Sequence, residues 1–145
     1  SGLRGQSLAG QDFIRQCDLR GTNVIGEPLA VMFRTEALVD GLPWRDDNPL
    51  MLDLSLYERV APRGLVALRR EAAGAFRVSN ASWSTRLAKE QLQQTRDWQQ
   101  NYASTSNPAP SAADRGRALL GRHVQTNLRR MAYTVLSRRG RLDSP

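Results

Sequence analysis

We predict a helix, including where it starts and where it stops, from the segment Leu52-Asp53-Leu54-Ser55-Leu56-Tyr57-Glu58-Arg59-Val60-Ala61-Pro62-Arg63-Gly64. Ser55 and Glu58 have the spacing of a capping box, in which each side chain satisfies an open backbone donor beside the other. Pro62 and Gly64 favour the end of a helix. We therefore expect a helix from Ser55 to about Pro62, with Asp53 just before it.

Three further helices are predicted from apolar spacing around this segment. One covers Leu8 to Leu19 and ends at Gly21, where glycine suits a helix terminus. The second is about five turns long and repeats every three to four residues. Its apolar face comprises Trp83, Leu87, Gln91 or Leu92, Thr95, Trp98 and Tyr102. The third begins at the start signal Ser111-x-x-Asp114 and has an apolar stripe of Leu119, Leu120, Val124, Leu128, Met131, Val135 and Leu136.

Short strands and loops are predicted between the helices. The apolar run 29–33 after Pro28 favours a buried strand, and Thr35 is expected to cap a brief turn over 36–39. Residues 41–49 are rich in Gly, Pro, Asp and Asn and predict a loop. Two more strands are expected at 65–68 and 73–78. Residues 103–113 have the polar, proline-containing composition of a linker.

Composition limits the possible classes of function. The chain has 145 residues, 40% of them apolar, which fits one domain with a core. One cysteine and one histidine supply neither a disulfide nor an ordinary zinc site. The net charge is +7, and residues 112–145 hold eight arginines against two aspartates, a net +6, so +1 remains for residues 1–111. The basic character therefore belongs to the C-terminal region, beside an almost neutral body.

Three short motifs occur in a fixed order: Asn23-Val-Ile-Gly-Glu-Pro28 with Phe33-Arg34, then Leu52-Asp-Leu-Ser-Leu-Tyr57, then Phe76-Arg-Val-Ser-Asn-Ala-Ser-Trp-Ser84. This order resembles the acceptor-binding half of a family 2 glycosyltransferase. The resemblance implies the C-terminal part of a GT-A-like fold of mixed α/β class, with a few short strands, flanking helices and a separate basic amphipathic helix at the C-terminus. It implies an acceptor-side portion at 3–103, a linker at 104–113 and the basic helix at 114–141.

The resemblance also implies roles for individual residues. Asp53 corresponds to the carboxylate that takes the proton from the acceptor hydroxyl, whereas its position alone favours a carboxylate that stabilises a helix N-terminus. Ser79 stands where many relatives have histidine. The acceptor-binding residues implied are Glu27, Pro28, Arg34, Trp44, Tyr57 and Trp83. The donor-phosphate loop implied comprises Arg77, Ser79, Ser82 and Ser84.

The donor-binding half of such an enzyme has no counterpart among these motifs, since the V-V-I-P-x-Y-N, D-D-G-S and D-x-D signatures are missing. We therefore expect a partial glycosyltransferase that is inactive alone and binds no metal alone. The complete enzyme would use a divalent metal, Mg or Mn, and transfer sugar from a nucleotide-sugar donor to a saccharide or lipid-linked acceptor. We expect a cytoplasmic protein, peripheral at the inner face of the membrane, with residues 112–141 on an anionic surface.

Two other classes of function remain open from the sequence. The basic tail could make the chain a non-catalytic binding module for nucleic acid or another acidic partner. Against nucleic acid, no helix-turn-helix, RRM or zinc-finger signature is present, and only Tyr133 is interleaved with the arginines. The amphipathic helices could alternatively form an interaction or dimerisation domain.

Overall fold

The computed structural model describes residues 7–44, 48–69, 71, 74–75, 86–87 and 89–138. Two short strands, β1 (Ser7–Ala9) and β2 (Leu65–Ala67), form an antiparallel sheet. The helices are α1 (Gly10–Arg20), α2 (Thr35–Gly41), α3 (Leu52–Val60), α4 (Gln91–Thr105) and α5 (Ala112–Arg138). One-turn 3-10 helices occupy Pro28–Ala30, Pro49–Met51 and Ala61–Arg63. The fold is mixed and mainly helical, as expected for a mixed α/β chain with few strands.

The two-stranded sheet ties the start of the described chain to the segment after α3. Leu8 pairs with Val66, and the backbone N–H of Gly10 donates to the carbonyl of Gly64 at 2.9 Å. A Cβ on Gly10 would lie 1.7 Å from the carbonyl oxygen of Ala61, so no other residue fits this approach. The strand at 65–67 was predicted, whereas β1 replaces the first turn of the helix that was expected to begin at Leu8.

The core lies where α1, α3 and α4 meet. Ile14 and Cys17 of α1 are fully buried, and α1 ends at Gly21, which adopts a left-handed conformation with φ of 60°. The prediction of this helix end is therefore confirmed. The remaining buried core residues on the other elements are Met51, Leu54, Leu56, Tyr57, Val60, Trp98 and Tyr102.

Helix α5 begins as predicted and packs on the body. The hydroxyl of Ser111 accepts a hydrogen bond from the N–H of Asp114 at 3.1 Å, and the Asp114 carboxylate accepts one from the N–H of Ser111 at 3.3 Å. Further along, Gly121 touches α1 so closely that a Cβ would lie 2.4 Å from the carbonyl oxygen of Leu19. The expectation of a separate C-terminal helix is therefore wrong for the first half of α5, because this glycine contact and the ion pair of Arg15 with Asp114 join it to α1.

The expected buried strand at 29–33 is wrong. Pro28 begins a 3-10 turn, and the side chains of Leu29 and Met32 are exposed, the latter by 98%. Only Val31 and Phe33 reach the core, so the apolar run does not provide the two buried faces of an interior strand. Thr35 also differs from expectation, since it is the first residue of α2 and makes no capping bond.

The predicted start of α3 is three residues late. A 3-10 turn over Pro49–Met51 runs directly into a helix that begins at Leu52, so Ser55 lies inside the helix and not at a cap. Tertiary contacts explain the earlier start, because the side chain of Gln94 accepts a hydrogen bond from the N–H of Leu50 at 2.8 Å. Asp53 consequently lies in the first turn of α3.

Helix α4 also differs at its ends from the sequence prediction. It starts at Gln91 and continues to Thr105, which shortens the linker before α5 to about residues 106–111. The hydroxyl of Thr105 donates to the carbonyl of Asn101 at 2.9 Å and so stays within the helix. Of the strand expected at 73–78, only residues 74–75 are described, and they are exposed and not in a strand. The expected start of this helix at Trp83 lies outside the described residues. Within the described ranges no helix is long and apolar enough to cross a membrane.

Candidate functional site

The turn over residues 23–28 is built by the side chain of Asn23. Its Oδ1 accepts hydrogen bonds from the N–H groups of Ile25 at 2.9 Å and Gly26 at 3.2 Å, and its Nδ2 donates to the carbonyl of Gly26 at 3.0 Å. Gly26 has φ of 116°, a conformation that side chains with a Cβ rarely adopt. These bonds fix the direction in which the chain enters Glu27.

Cys17 of α1 packs against this turn. Its thiol is fully buried and faces the backbone N–H groups of Val24 and Ile25. Burial raises the pKa of the Cys17 thiol, and those two N–H groups oppose the rise. The thiol is therefore a neutral group that packs against the turn.

Tyr57 connects α3 to the same turn. Its side chain is buried, its hydroxyl donates to the carbonyl of Gly26 at 3.2 Å, and its ring lies 5.7 Å from that of Phe33. The pKa of Tyr57 is raised by burial first and then by the negative charges of Asp53 and Glu27. Tyr57 therefore remains a neutral hydrogen-bond donor that positions the turn beside α3.

Asp53 and Glu27 are two carboxylates whose negative charges act on each other near this turn. Asp53 is partly buried in the first turn of α3, and Glu27 is exposed at the end of the turn. Burial raises the pKa of Asp53, and the negative charge of Glu27 raises it further. Among the residues that the structure describes, no arginine, lysine or hydrogen-bond donor compensates either carboxylate. Like charges that are close and unpaired cost stability, and such pairs concentrate at functional sites.

This carboxylate pair suits proton transfer better than metal binding. A carboxylate with a raised pKa accepts a proton more readily than an ordinary one. Two carboxylates alone do not define a metal site, and the described part of the chain contains no group of three or more His, Cys, Asp or Glu side chains that could hold an ion. We therefore derive no step that involves a metal from these residues.

The other predicted site residues lie at different distances from this pair. Pro28 follows Glu27 directly as the first residue of a 3-10 turn. Arg34 is exposed just before α2, Trp44 is exposed in the loop after α2, and neither side chain hydrogen bonds to Glu27 or Asp53. The structure thus brings together Glu27, Asp53 and Tyr57. The remaining predicted residues, Arg77, Ser79, Ser82, Trp83 and Ser84, lie outside the described residues.

Asn23 and Gly26 are the positioning residues that sequence reasoning missed. Both belong to the first motif, but neither was assigned a role. A usable signal was present, since an Asn followed by Gly three positions later is typical of a turn closed by the amide side chain. What the sequence could not show was that Tyr57 would bind the carbonyl of this glycine from a helix 31 residues away.

A cavity of about 320 Å³ lies on another face of α3. Ser55 of α3 faces it, and Ser55 follows Asp53 by two residues, which is roughly 200° around a helix. The guanidinium group of Arg59 in this cavity donates to the carbonyls of Ser55 and Pro43. The cavity contains none of the predicted site residues. Its lining consists of Asn48, Ser55, Glu58, Arg59, Asp97, Trp98, Asn101 and Thr105.

Comparison of the chain with protein-family models, with characterised proteins and with solved structures gives no match. The function must therefore be argued from the residues and their arrangement.

Proposed function

We propose that this chain is the acceptor-binding and general-base portion of an inverting family 2 glycosyltransferase of GT-A type. The observation that carries the proposal is the position of Asp53, which is partly buried in the first turn of α3, on the helix whose Tyr57 hydroxyl holds the turn that leads into Glu27. The resemblance of the motifs names Glu27, Asp53 and Tyr57 for one acceptor site, although Glu27 lies 26 positions before Asp53 and 30 before Tyr57. The folded chain places all three around the turn at Gly26. The agreement between the residues that the resemblance implies and their positions around this turn supports the proposal.

The proposed reaction is a single displacement at the anomeric carbon of a nucleotide sugar. The hydroxyl oxygen of a saccharide or lipid-linked acceptor forms the new bond to that carbon, while the bond from the carbon to the nucleoside diphosphate breaks. Asp53 takes the hydroxyl proton, and the leaving diphosphate takes the bonding electrons. Burial and the charge of Glu27 both raise the pKa of Asp53, which makes it a stronger base for this step.

Glu27 and the turn have a positioning role in this proposal. Glu27 is exposed next to Asp53 and can accept a hydrogen bond from a second hydroxyl of a saccharide. Tyr57 cannot donate to the acceptor while its hydroxyl is bound to the carbonyl of Gly26. Its function is therefore to hold the turn, and with it Glu27, against α3.

Apart from the donor-phosphate loop that the resemblance implies within residues 77–84, we assign the nucleotide and metal sites to residues outside this 145-residue sequence, since the sequence lacks the V-V-I-P-x-Y-N, D-D-G-S and D-x-D motifs. A divalent metal would assist departure of the diphosphate there. We therefore expect no appreciable binding when UDP- or dTDP-sugars with manganese are titrated into this chain by calorimetry. Micromolar binding would contradict the division of roles.

The decisive experiment replaces Asp53 by asparagine and measures turnover in a polypeptide that joins these residues to the donor-binding half. Loss of a positioned base reduces the rate by about 10²–10⁴-fold. The matched control is Asp12→Asn, because Asp12 is an exposed aspartate in the first turn of α1. It shares the helix-dipole role of Asp53 but lies in no carboxylate pair.

The two explanations of Asp53 give different results in this comparison. A carboxylate that only stabilises a helix N-terminus contributes about 0.3–1 kcal/mol, so both variants would lose a similar small amount of stability and keep their rates. If Asp53→Asn retains more than about a tenth of the parent rate, Asp53 is not the base. Donor binding measured in parallel shows whether the variant site is still formed.

A further inference from the structure

Helix α5 has an apolar stripe on the side that faces away from the body. The stripe consists of Leu120, Val124, Leu128, Met131 and Val135, whose exposed fractions range from 46% to 66%. Successive members are three or four residues apart, which places them within roughly 80° of arc over about 22 Å of helix. This is a continuous apolar surface and not a set of scattered exposed residues.

The packing of α5 fixes the direction in which the stripe points. Ala118 and Thr126 are buried, and Arg122 donates to the side chain of Gln99 at 3.0 Å, so these residues mark the face towards the body. Each is followed two positions later by a member of the stripe, which is roughly 200° around a helix. As far as Thr126 the opposite face of α5 is therefore held on the body and the stripe faces outward, and from 127 to 136 no described residue of the helix is buried.

The charges of α5 select the partner. The helix has six arginines, and its single acidic residue, Asp114, is paired with Arg15 at 2.8 Å. Arg117 and Arg130 are exposed. If a second copy of the chain covered the stripe, two positively charged α5 helices would face each other, and the repulsion between their arginines would cost energy. Nucleic acid offers phosphates for the arginines but no apolar surface for the stripe.

We propose that α5 docks on an anionic lipid bilayer, with its axis in the plane of the interface and the body on the aqueous side. The acyl region covers Leu120, Val124, Leu128, Met131 and Val135, and the anionic headgroups attract the arginines. The lipid surface supplies both the apolar contact and the negative charge that the helix presents. This inference stands without the proposed transferase activity, because it uses no residue of the carboxylate pair.

Vesicle flotation of the whole chain tests the proposal. We expect the chain to float with phosphatidylcholine vesicles that contain phosphatidylglycerol, and to remain in solution with phosphatidylcholine alone. Added salt should weaken binding to the anionic vesicles, since screening reduces the attraction of the arginines. Failure to bind anionic vesicles would overturn the proposal.

A matched pair of double variants identifies the face that binds. Leu128→Asp with Met131→Asp places two charges in the stripe, and Leu29→Asp with Met32→Asp makes the same changes at exposed residues elsewhere. We expect the first to weaken binding by at least about ten-fold and the second to retain it. All four side chains are exposed, so circular dichroism should show the same helical fold in both. Equal losses would assign binding to net charge and contradict docking through the stripe.

Replacing the same two pairs of residues by serine repeats this comparison without added negative charge.

Two results would indicate a partner other than the bilayer. A dimer in sedimentation that the stripe variant dissociates, without vesicle binding, would assign the stripe to a second copy of this chain. Salt-sensitive binding to duplex DNA, without vesicle binding, would assign the arginines to nucleic acid.

Discussion

Two aspartates, Asp18 in α1 and Asp53 in α3, are removed from water in different surroundings. Asp18 is only 3% exposed, and burial raises its pKa to about 6, with a smaller rise from Asp114 that Arg15 opposes. Burial raises the pKa of Asp53 as well, but the charge next to it is the second carboxylate of Glu27. One carboxylate thus belongs to a network that contains a cation, and the other to a pair that has none among the described residues.

The surroundings of Asp18 form a structural junction of three helices. Arg15 of α1 binds Asp114 of α5, while the side-chain nitrogen of Gln99 in α4 donates to the carbonyls of Asp18 at 2.8 Å and Ala118 at 3.2 Å. These bonds join α1, α4 and α5. Burial of a carboxylate is therefore insufficient to mark a functional site. What marks the surroundings of Asp18 as structural is that its neighbours connect three helices, whereas no such bonds surround Asp53 in the described part of the chain.

The largest effect that we expect at the junction follows from closing the space between α1 and α5. Gly121→Ala would place a Cβ 2.4 Å from the carbonyl oxygen of Leu19, and the rigid backbone on both sides would have to separate. Such overpacking costs about 1–3 kcal/mol of unfolding free energy, measured by denaturant unfolding. Gly116→Ala on the same helix meets no atom within 4 Å and is expected to stabilise by up to about 1 kcal/mol. Equal effects would mean that α5 does not pack on α1.

A smaller effect is expected when the charge at the junction is removed. The pKa of Asp18 is about 6 in the folded chain, against 3.8 for an unperturbed aspartate, so the folded chain takes up a proton between these values. Stability should therefore rise as the pH falls from 7 to 4. Asp18→Asn should stabilise by about 1–2 kcal/mol at pH 7.5 and flatten this rise. Thermal unfolding against pH measures both changes, with Asp12→Asn as control. A destabilising effect at pH 7.5 would show that the charged carboxylate is favourable.

The smallest effect concerns the carboxylate pair and tests its geometry directly. Because Glu27 raises the pKa of Asp53, Glu27→Gln should lower that pKa towards its ordinary value while burial keeps part of the rise. The folded state then binds the Asp53 proton less tightly, so stability above the folded pKa increases slightly. Carboxyl NMR titration of Asp53 measures the change, and Glu36→Gln, at an exposed glutamate in α2, is the control. An unchanged pKa of Asp53 in the Glu27→Gln variant would show that the two carboxylates do not interact.

Sequence patterns predicted the elements whose cause is local. The ends of α1 at Gly21 and the start of α5 at Ser111 and Asp114 follow from glycine conformation and from reciprocal capping. The stripe of α5 follows from helical periodicity. The prediction of a buried strand at 29–33 failed because an apolar composition does not show which side chains meet the core. The side chain of Met32, for example, is exposed. For the candidate site, the motifs named Glu27, Asp53 and Tyr57 but not the turn that joins them.

By itself the sequence determined the local features: helix periodicity, the caps, the turn of Asn23 and Gly26, and the concentration of arginines in α5. These depend on residues within a few positions of each other, so their physical cause is present in the sequence. Tertiary structure alone decided that Glu27 lies beside Asp53, and that α5 is held by Gly121 with its apolar stripe outward. Both outcomes depend on contacts between segments that are far apart in the sequence, and these contacts form only when the core packs.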